Sequence, residues 1–219
     1  MSMPLRTETR GEAPTTKPPP GKAPPGKAEA ILAAAERSFL ARGFGATSMD
    51  AIARDAAVSK ATVYAHFADK ATLFGAVITR LNERRFGGFS VEALDPADVE
   101  ASLTLFARRF LELILSPEAI ALNRIIIAEV PRFPELGEAF WQAGPARSRV
   151  QIEAFLRRAN AAGTLAVADP RGAAEQFVAL ARGEIHMRQL LRPDGEIGPK
   201  AIRAAATAAV SLFLRAFRA

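Results

Sequence analysis

The chain has 219 residues, enough for one compact domain or two small ones, and its 49% hydrophobic and 24% charged content is that of a globular protein with material for a core. It has no cysteine, which excludes disulfides, thiolate metal sites and a cysteine nucleophile, and with two histidines it offers little to a metal; no cofactor is expected. The formal net charge of +6 suits a polyanionic partner without identifying one.

Residues 1–27 hold seven of the fifteen prolines, a net charge of +3 and almost no large apolar side chain, so they read as a disordered basic tail. No signal-peptide stretch is present there, and no apolar run approaches the roughly 18 residues that span a bilayer, so the expected location is cytoplasmic with no membrane partner. From Lys27 onward apolar residues recur at spacings of three and four. Ile31, Leu32, Ala35 and Phe39 mark a first helix, which Gly43 ends through a left-handed cap. Ser48 caps a short second helix carrying Met49, Ile52, Ala53 and Ala56. Ser59 caps a third, with Val58 before the cap and Val63 inside it at the spacing of a hydrophobic staple. Asp69 caps a fourth that runs through Leu73, Val77 and Leu81 to Phe86, where Gly87-Gly88 interrupts it.

Prolines then punctuate the chain at positions where helices begin, which predicts helices near 96–115, 117–129, 134–143, 145–162, 170–191 and 199–217. The expected fold is all-α with roughly ten helices and no strand: a DNA-binding unit over 28–74 and a larger helical effector-binding and dimerisation unit over 75–219.

Two short helices joined by a tight turn, the second opening on small and polar residues, form a helix-turn-helix plan over SMDAIARDAAVSKATVYAHFADK, Ser48 to Lys70. Acidic and basic residues balance across 28–74, so geometry rather than bulk charge carries this reading. A helix fits the major groove, where its first residues meet base edges. Lys60, Ala61, Thr62 and Tyr64 are then available outward, and Thr47, Ser48, Tyr64, His66 and Lys70 are candidate phosphate contacts, which set register rather than sequence preference. Phe67 reads as a core aromatic.

The stretch ILAAAERSFLARGFGATSMDAIARDAAVSKATVYAHFADKATLF, residues 31–74, resembles the N-terminal domain of the TetR family of regulators, most specifically in VSKATVYAHFADK. The resemblance implies a homodimer, a helical ligand domain, and release from double-stranded operator DNA when a small effector binds. It places Lys60, Ala61, Thr62, Tyr64 and His66 on the recognition helix. Two positions depart from the pattern, Ala57 and Ala61 standing where the family often has glycine; a left-handed Ala57 would cost roughly 1 kcal/mol. IIIAEVPRFPELGEAFWQAGPAR (125–147) and AAEQFVALARGEIHMRQLL (173–191) resemble the AefR-like C-terminal domain of one branch. That branch implies dimerisation through helices near 170–191 and 199–217, and Ile202, Ala205, Ala206, Ala209, Val210, Phe213 and Phe217 form an apolar stripe on the last of them.

Phe106, Phe110, Ile114, Phe133, Phe140 and Trp141 are candidate walls of a pocket for a lipophilic effector, with His186 as a candidate orienting group. Plain core packing is the competing reading for each. No Gly-rich phosphate loop, G-x-S-x-G elbow or H-E-x-x-H motif is present, so an enzyme is not expected. The alternatives to a ligand-released repressor are a nonspecific or architectural DNA-binding protein and a transcriptional activator.

Overall fold

The computed structural model describes residues 26–86, 89–192, 195 and 197–219. The segment read as a disordered tail lies outside these residues up to position 25, as does the Gly87-Gly88 pair. The fold is all-α, with ten helices among the described residues: α1 (Lys27–Arg42), α2 (Met49–Asp55), α3 (Lys60–His66), α4 (Lys70–Phe86), α5 (Val99–Ile114), α6 (Pro117–Glu129), α7 (Pro134–Ala143), α8 (Pro145–Ala161), α9 (Pro170–Leu191) and α10 (Pro199–Phe217). None is long and apolar enough to cross a membrane.

Local chemistry sets the boundaries. The side chains of Ser48, Ser59 and Ser116 accept from Ala51 N, Thr62 N and Ala119 N, and Asp69 Oδ1 accepts from Thr72 N at 2.7 Å; each satisfies an amide that a helix start leaves open. Gly43 has φ 78° and ψ 177°, outside the ordinary left-handed helical basin and in a region open essentially to glycine alone. The helix expected from Pro96 begins at Val99 instead. Asp95 turns the chain by accepting from Ala97 N at 2.8 Å, and Asp98 takes the cap by accepting from Ala101 N at 3.0 Å, so proline here lies in the approach to the helix. Two further features were not legible in the sequence: a 3-10 turn at Val91–Ala93, and a break inside α9 at Gly183 (φ 48°, ψ −161°).

Two apolar clusters organise the helices. One joins α1–α4 to the α6–α7 region: Phe39, Phe44, Phe74 and Val77 share it with Leu113, Leu122, Ile126 and Leu136. The other packs α5, α8, α9 and α10 around Phe106, Phe155, Phe177 and Phe213. The α10 stripe of Ile202, Ala206, Ala209, Val210 and Phe213 is buried in this second cluster. That stripe therefore holds α10 to its own protomer, and the opposite face, with Ala201, Ala204, Ala208 and Leu212, is the one left open.

Charge fixes α4 to α1. Arg80, on α4, donates to both Glu29 and Glu36 of α1, and Arg84 reaches Glu36 at 2.6 Å. The Arg80 and Glu36 side chains are both mostly buried, where removal of one partner of an ion pair is costly. These ion pairs tie α4 to α1.

Ala57 adopts φ 55° in the turn between α2 and α3, among the described residues the sole non-glycine at positive φ. Replacing it by glycine relieves roughly 1–2 kcal/mol of left-handed strain against about 0.4–1 kcal/mol of added unfolded-chain entropy. Ala57→Gly is expected to melt slightly above the wild type in thermal denaturation; a lower midpoint would show that the turn carries no such strain.

Candidate nucleic-acid interface and effector cavity

The α2–turn–α3 unit is held from beneath by Ile52, Ala53 and Val63, all buried, while Val58 and Phe67 pack half-buried at its edges. Val58 N donates to Ala53 O at 3.0 Å, closing the turn. Lys60, Ala61, Tyr64 and His66 face outward from α3, and Ser48 is exposed at the start of α2. Lys60 Nζ lies 2.9 Å from the Asp50 carboxylate and 5.9 Å from the centre of the Tyr64 ring. The hydrogen bond and charge of Asp50 push the Lys60 ammonium above its ordinary pKa, so it stays cationic. Thr62 is half-buried, its hydroxyl 2.8 Å from that of Ser59.

Thr47 and Lys70 turn inward. Thr47 is 2% exposed, and its hydroxyl donates to Gly43 O at 2.7 Å. Lys70 Nζ donates to Phe44 O at 2.7 Å and Thr47 O at 2.9 Å, 4.3 Å from the centre of the Phe44 ring. Burial lowers the Lys70 pKa, with Glu129 and Glu135 opposing that shift. In this arrangement both residues fasten the loop that leads into α2.

The same loop is gripped from the other side by Glu129, the last residue of α6. Its carboxylate accepts from Phe44 N at 2.7 Å and from Gly45 N. A Cβ at Gly43 would stand 2.5 Å from Glu129 Oε1, and one at Gly45 2.8 Å from Oε2, so both glycines are required by the approach. Phe133 packs its ring against Phe44 at 5.3 Å and lies beneath Lys70.

Between α4, α5, α6, α7, α8 and α9 lies a cavity of about 60 Å³. Phe110, Ile114, Phe140 and His186, four of the residues expected to form a pocket, line it. The other three stand elsewhere: Phe106 is fully buried against Phe177, Phe133 sits at the α6–loop junction, and Trp141 is 51% exposed. Sequence reasoning missed the α4 wall (Ile78, Leu81, Asn82) and the polar residues Asn123, Ser148 and Arg182. It also missed Glu129. Only its position as the single acid ending an apolar run was legible, and its partners lie 84 and 85 residues away. His186 is 6% exposed, and burial together with the neighbouring Arg182 charge pushes its pKa down to about 4, so it is neutral at physiological pH.

Residues 31–77 match the profile of the bacterial regulatory proteins of the tetR family, and residues 101–219 match the C-terminal domain of AefR-like transcriptional repressors. The chain belongs to the TetR family. Its fold superposes on that of the flavonoid-responsive regulator FrrA with a TM-score of 0.73 and 38% identity, covering 88% of this chain and 97% of that one. A TetR-family regulator from Mesorhizobium loti gives 0.73 at 29% identity over 88% and 97%. Another, from Pseudomonas syringae pv. tomato, gives 0.65 at 27% over 87% and 96%. No curated protein matches in sequence.

TetR-family proteins are DNA-binding transcriptional regulators and not enzymes, and the helix-turn-helix described above is the family's DNA-binding unit. In this TetR-family chain the cavity touches α4 directly, and α4 begins at the loop held by Lys70.

Two outcomes follow from this geometry. Because the folded pKa of His186 lies near 4, below the ordinary 6.5, the unfolded chain takes up this proton first as pH falls. The stability contribution is complete above about pH 6.5 and is lost as pH drops towards 4. Thermal melts across this range are expected to decline less steeply for His186→Gln than for the wild type. Glu129→Gln removes a charged acceptor of two amides and is expected to cost about 2 kcal/mol of stability and to accelerate hydrogen exchange at Phe44 and Gly45; unchanged exchange there would show the loop to be held by other contacts.

Proposed function

We propose that this protein is an effector-released transcriptional repressor that binds a palindromic operator as a homodimer. The observation that carries the reading is the contact of one cavity with α4, the helix that leads out of the recognition unit. Lys60, Ala61, Tyr64 and His66 on α3, with Ser48 before α2, form the outward DNA-facing surface; Thr47, Thr62 and Lys70 act by holding the unit's shape. The match to AefR-like repressors supports repression as the sign of the effect. The likeness to FrrA supports a lipophilic small-molecule effector, with the flavonoids named for that protein as the first compounds to screen.

Dimerisation uses the outward faces of α9 and α10, where Leu180, Met187, Leu191 and Leu212 remain exposed in the single chain. Two recognition helices then enter successive major grooves about 34–36 Å apart. Ligand pockets commonly measure about 300–1,000 Å³, so an effector must push apart the walls of a cavity of about 60 Å³. One wall is α4, tied by Arg80 to α1, and another is α6, whose Glu129 holds the loop before α2. The effector stabilises the expanded state, and release of DNA is the resulting population shift.

Selection of bound sequences from a random DNA pool by the purified protein is expected to return one palindrome. Affinity for it should fall on Tyr64→Ala without loss of the dimer in sedimentation, and Lys60→Ala should lower the salt slope of binding by about 1. Recovery of no preferred sequence would favour a nonspecific DNA-binding protein and sink this reading.

A further inference from the structure

Taking the cavity as the effector site, a premise that rests on the function proposed above, we infer that it recognises an acidic molecule: an apolar body bearing one anionic oxygen group, a carboxylate or an ionised phenol, seated against Arg182 and His186. The walls are apolar on most sides, with Ile78, Leu81, Leu113, Leu122 and Phe140 among them. Against this background five polar side chains meet the void: Asn82, whose Nδ2 donates to Ala143 O, and Asn123, Ser148, Arg182 and His186. Ser148 is 8% exposed and His186 6%, and neither side chain hydrogen-bonds to another group among the described residues. Side chains with unused hydrogen-bonding capacity on a cavity wall are the groups that a ligand entering it would pair with.

Arg182 decides the sign. Several other arginines of the effector unit have partners: Arg85 with Glu118, Arg149 with Glu175, Arg188 with Glu184, Arg218 with Glu100, and Arg124 with the carbonyls of Gln189 and Leu190. Arg147, Arg192, Arg203 and Arg215, like Arg182, have none among the described residues, and of these Arg182 alone lines the cavity. Arg182 has neither a carboxylate nor a carbonyl partner among the described residues; it is exposed on α9, although desolvation by its neighbours still lowers its pKa. No Asp or Glu lines the cavity. A cationic ligand would meet a like charge with no acid beside it, whereas an anion would pair with it, and the planar guanidinium fork presents two N–H groups to one carboxylate. His186, neutral beside it, can donate one further hydrogen bond through a ring N–H.

The test is calorimetric titration of the full chain with 2-naphthoate and with its neutral isostere 2-naphthamide. Naphthoate should bind at least roughly tenfold more tightly, the ratio expected of one charge-assisted hydrogen-bond pair. Arg182→Gln should erase that ratio while naphthamide affinity changes little. The same variant should melt no lower than the wild type, since it removes an unpaired charge, which separates lost recognition from lost folding. Val178→Trp, which fills the void, should abolish binding of both compounds and so locates them. Comparing 4-nitrophenol, titrated at a pH well above its near-neutral ionisation so that it is phenolate, with the still neutral 4-methylphenol shows whether phenolates join carboxylates in the accepted class. Equal binding of naphthoate and naphthamide, blocked by Val178→Trp, would overturn the acidic preference while leaving the cavity as an effector site. Binding of neither compound, or binding that Val178→Trp leaves intact, would overturn the inference together with the role given to the cavity.

Discussion

The carboxylate of Glu129 is the contact on which the arrangement of this molecule turns. One side chain from the end of α6 accepts two backbone amides from the loop between α1 and α2. A carboxylate accepting two amides makes stronger hydrogen bonds than neutral groups do, each commonly contributing about 1.5–3 kcal/mol. The geometry also dictates sequence: glycine at positions 43 and 45 leaves the space that the carboxylate enters. Lys70 completes the fixture by donating to the loop's carbonyls, so the loop's amides answer to the effector unit and its carbonyls to α4.

Given that junction, the chain cannot behave as two beads on a string. Phe44 and Phe74 stand in one apolar cluster with Ile126 and Leu136, and Phe133 stacks at its margin. Packed interiors respond to displacement by switching between arrangements rather than by bending gradually. Under the release mechanism proposed above, a small widening between α4 and α6 would reach the recognition unit along two routes. One is the α4–α1 ion pairs of Arg80; the other is the grip of Glu129 on the loop. The two routes meet at residues 43–47, directly before the cap of α2.

What the sequence revealed and what it withheld divide along the range of the forces involved. Helix starts at Ser48, Ser59 and Asp69 were legible because a cap is satisfied within three residues. The left-handed geometry of Ala57 was legible through the family pattern for the same local reason. The second cluster shows the limit of periodicity. The stripe on α10 was correctly apolar, but periodicity cannot say which neighbour it faces, and the neighbour is the protomer's own α5 and α9. Phe133 and Phe140 are seven residues apart and look alike as pattern; one meets Lys70 at the junction and the other lines the cavity. Glu129 and Arg182 were silent for the opposite reasons: one has its partners more than eighty residues away, and the other has none among the described residues.

The cavity's polar groups also explain why such a site survives inside a stable fold. Ser148 and His186 place hydrogen-bonding groups, with no protein partner among the described residues, on a wall that is otherwise mostly apolar. Arg182, exposed on α9, is the one charged side chain on the cavity wall, and Gly183 beside it holds a backbone conformation that breaks α9 where the cavity passes. Polar groups gathered on the wall of a mostly apolar cavity suit the ligand-binding role proposed above. A ligand that pairs with those groups gains binding energy. That energy is available to hold α4 and α6 apart, so the same atoms that line the cavity are what would let an effector move its DNA-binding end.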